Sequence, residues 1–159
     1  MHSEILVPVV ALVAWTLVML AWMLVLRIPA MVKAGVDFGK LIGSKGSDAD
    51  KILPAEAQWK AHNYNHLHEQ PTLFYAIALT LALLDRGDGI NLWLAWAYVI
   101  LRIAHSLVQA TFNKVSTRFA LFLLSTLALA ALTLHAGIAI VIDHATPTPI
   151  ETTAAVYDR

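Results

Sequence analysis

The chain contains no cysteine. That absence excludes a disulfide framework, a thiolate metal site and a cysteine nucleophile, so any thiol chemistry has to be brought by a co-substrate. Charge is scarce as well: 14% of the 159 residues are charged, and 11 basic residues balance 11 acidic ones. No excess of either sign points to nucleic acid or to an acidic partner, and electrostatic arguments have to be local. No repeat of solenoid length is present. What fills the chain instead is apolar side chain, at 58%, with a mean hydropathy of +0.66. This composition lies outside the range of soluble domains.

Four apolar stretches read as membrane spans, at roughly 5–30, 59–84, 90–112 and 118–142. The first runs from Ile5 to Leu26 without a charge, and about 20 apolar residues suffice to cross a hydrocarbon core. A cleaved signal peptide is the competing reading. The run is too long for one, lacks a basic start and ends in RIPAMVK instead of a small-residue cleavage site. The second span contains PTLFYAIALTLALL, which is too short unless its helix begins upstream in NYNHLHEQ. The linkers before span two and before span four carry Lys40, Lys45, Lys51 and Lys114, with Lys33 and Arg118 at their edges. By the positive-inside tendency these linkers are cytoplasmic and both termini lie outside. The tail 146–159 is polar and reads as disordered.

Polar residues concentrate in two of the spans. At about 100° per residue, positions i, i+4, i+7 and i+11 share one helical face. His62, His66, Glu69 and Leu73 form such a stripe on span two; Tyr98, Arg102, His105 and Gln109 form one on span three. An Arg or Asp facing mid-bilayer lipid costs about 2.5 to 3.5 kcal/mol on insertion scales, so the stripes are expected to face each other or a wet cavity, with Glu69 near Arg102. Pro71 has no N–H to offer the carbonyl of Leu67, which predicts a bend and a free acceptor there. The bland alternative is a buried ion pair that only fixes helix register. Asn63 and His68 lie off the stripe and read as interfacial hydration, the five tryptophans as packing or headgroup anchors, and His135 as structural. A metal held by His62, His66 and Glu69 is the sharpest rival, but a single His cluster is too few ligands for a membrane metal oxygenase, and no metal is expected.

The order of these motifs carries a resemblance. Four spans in about 150 residues, NYNHLHEQPTLFY entering the second, and AYVILRIAHSLVQATFNKVSTRFALF spanning the third and opening the fourth resemble the MAPEG family, membrane-associated proteins in eicosanoid and glutathione metabolism, in its bacterial branch. The resemblance covers roughly residues 5–142. It implies an all-α integral membrane fold, a four-transmembrane-helix bundle assembled as a homotrimer, in a bacterial inner membrane. It also implies glutathione bound between neighbouring subunits at the cytoplasmic side. Carried over by position, Glu69 is expected to meet the glutathione amine, Arg102 and His105 its carboxylate and backbone, and Arg118 the thiolate; Arg27 is a looser match at the end of span one. His62, Asn65, His66 and Gln109 complete the expected polar contacts. The chain departs from the glutathione-binding members at Trp59, Lys60 and His62, where arginines precede the glutamate, at His66, where Asn is expected, and at Gln109, where they have tyrosine.

Together these readings imply a glutathione-dependent, or other thiol-dependent, transferase or peroxidase acting on lipophilic electrophiles from the bilayer. Its partners are membrane lipids and a lipophilic small molecule, with no nucleic acid. The alternative is a non-catalytic lipid-binding or scaffold protein of the same fold.

Overall fold

The computed structural model describes residues 3–43 and 45–145. The expected polar tail, 146–159, lies outside them. Among the described residues, five α-helices make up the regular structure apart from two short 3-10 turns, in the order α1 Leu6–Lys33, α2 Ala55–His66, α3 Gln70–Leu83, α4 Gly89–Ala110 and α5 Val115–Ala145. Three of them, α1, α4 and α5, are long and apolar enough to cross a membrane. α3 has 14 residues, about 21 Å at 1.5 Å per residue, and is too short alone for a hydrocarbon core of about 30 Å.

The expected continuous second span is thus interrupted. α2 ends at His66 and α3 begins at Gln70, with Glu69 as its N-cap and Pro71 in the first turn, where a missing N–H is harmless. Proline has not bent one helix at this point; it starts a new one.

Helix ends follow from local chemistry. α1, α3 and α4 are each followed within three residues by one with left-handed backbone: Gly35 at φ 77°, Asp85 at φ 55° and Asn113 at φ 51°. In each case an amide beyond the end reaches back to a late carbonyl: Val36 to Met31, Arg86 to Leu81 and Asn113 to Val108. These bonds satisfy acceptors that the helices can no longer use. The hydroxyls inside the apolar helices are satisfied in the same spirit. Thr16 bonds the carbonyl of Leu12 at 2.9 Å, and Ser125 and Thr126 both bond that of Phe122 at 2.8 Å, so none has to seek water in an apolar setting.

The core sits where α3 meets α1, α4 and α5. Phe74 and Tyr98 stack there with ring centroids 4.4 Å apart, and Leu12, Met19, Leu81 and Leu132 close around them, all fully buried. The outward faces are apolar too, with Leu17 and Val25 on α1 and Leu127, Leu134 and Val141 on α5 exposed. An apolar surface of that extent is unsuited to water. The bundle has two unlike ends. One carries the α1–α2 connection and the α4–α5 turn, and is called the turn end below. At the opposite end the α3–α4 turn lies against the chain's beginning, and Arg86 pairs with Asp143 at 3.5 Å.

That opposite end is tightly fitted. A Cβ added at Gly87 would lie 1.9 Å from Ser3 Oγ and 2.7 Å from Ile5 Cγ2, and Ile5 is fully buried. Gly87→Ala is therefore expected to destabilise the bundle by about 1–3 kcal/mol, the usual cost of overpacking, in equilibrium unfolding from detergent micelles. An unchanged unfolding midpoint would show that the segment around Ser3 gives way freely.

Candidate functional site

The interruption between α2 and α3 builds the site. Residues 67–69 leave helical geometry, and the His66 carbonyl accepts from Arg102 Nη2 of α4 at 3.3 Å. The acceptor taken up is thus His66, one residue before the Leu67 carbonyl expected from Pro71. Arg102 is 1% exposed, its guanidinium carbon lies 5.8 Å from the Phe122 ring centre, and its Nε and Nη1 are buried without a hydrogen-bond partner in the described chain.

Glu69 does not pair with Arg102, contrary to the expectation from matching stripes. Its Oε2 accepts from His66 Nδ1 at 2.7 Å, and the Glu69 side chain is 66% exposed. The reason is phase: the chain leaves the helix after His66, so residue 69 no longer lies below residue 66 on a continuous stripe. The side of α2 that faces α4 carries Asn63 instead, fully buried, whose Nδ2 donates to Ser106 Oγ at 2.6 Å. Asn63 was read as hydration; the signal that it faces inward is Leu67, four residues on and also buried. The α4 stripe behaves as expected, with Tyr98, Arg102, His105 and Gln109 all buried.

His66 sits over α4 and α5, its ring centre 5.0 Å from that of His105 and 5.9 Å from that of Phe122. These three side chains, with Val115, Arg118 and Phe119, line a cavity of 240 Å³ at the turn end. Arg118 is anchored there because its Nη1 donates to Asn113 Oδ1 in the α4–α5 turn, while its Nε is buried with no partner in the described chain. Arg118, His66 and His105 thus line the cavity, with Arg102 bonded to the His66 carbonyl behind it and no carboxylate in the lining. Such a site favours an anion.

Arg27, His62 and Asn65 are elsewhere. They line a second cavity of 360 Å³ on the α1–α2 face, with Asp50, Gly46 and Tyr64. Asp50 organises it: His62 Nε2 lies 2.8 Å from its Oδ2 and Arg27 Nη2 3.8 Å from its Oδ1, and Arg27 also donates to the Gly46 carbonyl. Nothing in the linker's polar composition had singled out Asp50. Because His62 is engaged here and His66 at the other cavity, the two histidines do not converge on one metal, and the described residues hold no cluster of three or more metal-ligating side chains. Gln109 is in the lining of neither cavity; its Oε1 is buried without a partner in the described chain.

A third space, an apolar groove of 820 Å³ between α3 and α5, runs from Gln70 and Thr126 to Val141 and Ile142. Gln70 Nε2 donates to Thr126 Oγ1 across its head at 2.8 Å. Thr126 stands one helical turn from Phe122, so the groove begins next to the cationic cavity.

Because His66 and Glu69 touch and Glu69 and Arg102 do not, double-mutant cycles should tell them apart. The coupling of His66→Gln with Glu69→Gln is expected above about 0.5 kcal/mol, the scale of contacting residues, in unfolding measurements. That of Glu69→Gln with Arg102→Met is expected to be smaller. The reverse ranking would restore the Glu69–Arg102 pair.

Comparison with known proteins gave one finding: residues 5–138 match the model of the MAPEG family. Neither the curated proteins nor the solved structures yielded a match. With that match across most of its length, and with three helices able to cross a membrane, the chain belongs to the MAPEG family and is an integral membrane protein.

Proposed function

We propose that the protein is a thiol-dependent transferase or peroxidase, with glutathione as co-substrate, acting on lipophilic electrophiles delivered from the bilayer. The family includes glutathione transferases and peroxidases as well as non-catalytic members, so the choice rests on the site. The observation that carries it is Arg118, fixed on the α4–α5 turn with a spare N–H, in the wall of a cavity that also holds His66 and His105. A fixed cation beside a thiol favours the thiolate, the nucleophilic form. The chain supplies no thiol itself.

The remaining candidates fit this reading if copies of the chain assemble. Within one chain Arg27, His62 and Asn65 lie on a different face from His66, His105 and Arg118. In a homotrimer the first face of one protomer meets the second face of its neighbour, and the cavities of 360 and 240 Å³ become two halves of one site for a tripeptide. α2 and α3 together form the fourth span, packed inside the assembly, where the interrupted backbone is shielded from lipid as such backbone must be. The turn end faces the cytoplasm of a bacterial inner membrane, with both termini outside.

A second reading is favoured by the groove between α3 and α5. At 820 Å³ and lined almost wholly by apolar side chains, it suits an acyl chain, and a lipid-binding scaffold would need nothing more.

The decisive experiment uses purified protein in lipid nanodiscs. Glutathione should raise the thermal unfolding midpoint in a concentration-dependent way, and the ultraviolet band of the thiolate should appear on binding. Arg118→Ala should keep the fold and bind glutathione while raising the thiol's apparent pKa by about one unit, or about 1.4 kcal/mol, with activity partly restored as pH rises. A wild-type protein that neither binds nor ionises glutathione decides for the scaffold.

The orientation is checked separately. A reporter fused after Arg159 should be active only outside the cytoplasm, and one inserted near Ser47 only inside it. The opposite pattern would turn the site away from cytosolic glutathione and remove the proposed function.

A further inference from the structure

The contact between His66 and Glu69 fixes more than helix geometry. A carboxylate can only accept, so the 2.7 Å contact of Glu69 Oε2 with His66 Nδ1 puts the imidazole proton on Nδ1. Nε2 of the neutral ring is then left with its lone pair. The His66 ring lines the same 240 Å³ cavity as Arg118, and with Nδ1 engaged by Glu69, Nε2 is the ring nitrogen left to meet a group bound there. The ring is confined between His105 and Phe122, and the backbone beneath it is held by Arg102. A base oriented by a carboxylate, beside a cation that can stabilise the product anion, is the arrangement that activates weak nucleophiles.

We propose that His66 is the general base that deprotonates the thiol, with Glu69 as its positioning residue; this rests on the thiol-dependent function proposed above. The S–H bond breaks and its proton goes to His66 Nε2, giving an imidazolium held by the Glu69 carboxylate and a thiolate held by Arg118. The thiolate attacks the carbon of an epoxide: the C–S bond forms, the C–O bond breaks, and its electron pair goes to oxygen. The imidazolium returns the proton to that oxygen, which restores the neutral base. No oxidant or reductant is consumed. Besides Glu69, the charged and titratable groups that face His66 are Arg102 and His105 on α4 and Arg118 on α5. The cations among them oppose the imidazolium, and the carboxylate supports it.

The test uses the intact protein in nanodiscs with glutathione and styrene oxide. His66→Gln keeps a donor for Glu69 but has no base. It is expected to lower kcat at neutral pH about 100-fold or more, the lower range of general-base contributions, while KM for glutathione changes little. Added imidazole should restore part of the rate, and the rise of activity with pH that reports imidazole deprotonation should vanish. Glu69→Gln should lower kcat as well, and the double variant should lose little beyond the His66 variant, since the two act as a unit. Should His66→Gln not fold, the exposed Glu69 carries the test through kcat and the pH profile of Glu69→Gln. A pair that merely staples the helix break would lower the melting temperature without any imidazole rescue. If wild type turns over and His66→Gln does so equally, with the same pH profile, the base is overturned and the proposed function stands. If wild type shows no glutathione binding or turnover, both fall.

Discussion

The structure depends on one exchange between two otherwise expensive groups. A guanidinium buried to 1% exposure needs acceptors, and a helix interrupted among apolar neighbours needs donors for its freed carbonyls. Arg102 and the His66 carbonyl meet at 3.3 Å and meet part of both needs. The carbonyl also accepts from the Glu69 amide at 3.4 Å, but without that carbonyl the buried guanidinium would have no hydrogen-bond partner among the described residues, which costs more than the bond itself contributes. Pro71 makes the interruption durable, because its missing N–H cannot rejoin α2 to α3.

Other features follow from that exchange. With α2 stopping at His66, the imidazole turns over His105 and Phe122 and not along the outer surface of a continuous helix. Glu69, released from helical phase, folds its side chain back on His66 while its backbone takes the N-cap position of the new helix. The face of α2 toward α4 is left to Asn63, which bonds Ser106. His62 and Asn65 stay on the other face, where Asp50 brings the connection from α1 to the end of that helix through Arg27 and His62. One break thereby divides a run of polar residues between two cavities.

Much of this was legible in the sequence, and the failures have a common cause. Hydropathy and length suffice for α1, α4 and α5, because a long apolar helix needs no partner to be recognised. The periodicity of α4 correctly turns Tyr98, Arg102, His105 and Gln109 inward, since that helix is unbroken for 22 residues. The same arithmetic misplaces Glu69, because 100° per residue holds only while the helix continues. Pro71 gave warning of a disturbance but not of its extent: a proline in the first turn of a new helix and one kinking an old helix look alike in sequence. Asp50 escaped notice because its partners lie 12 and 23 positions away across a linker, and no local pattern encodes such a closure. Family membership was legible from motif order, whereas the separation of Arg27 from Arg118 within one chain is a property of packing.

The division between cavity and groove bears on the kind of reaction the fold can host. Arg118 lines the cavity at the turn end and Arg102 is bonded to the backbone of His66 beside it; apolar surface lines the groove from Thr126 to Ile142. Phe122 and Thr126, one turn apart on α5, mark the boundary. An anionic reactant has no reason to enter the groove, because losing water there is uncompensated, and an apolar reactant gains nothing from the cavity. Under the proposed function each reactant is therefore held on its own side, and the two meet at the Phe122 boundary. On that reading the anion, already stripped of much of its hydration, would react from fixed protein dipoles instead of bulk water, where interactions with Arg118 count for more. Under the proposed function, selectivity for lipophilic electrophiles is then a consequence of where the two surfaces touch, and it needs no pocket shaped to one substrate.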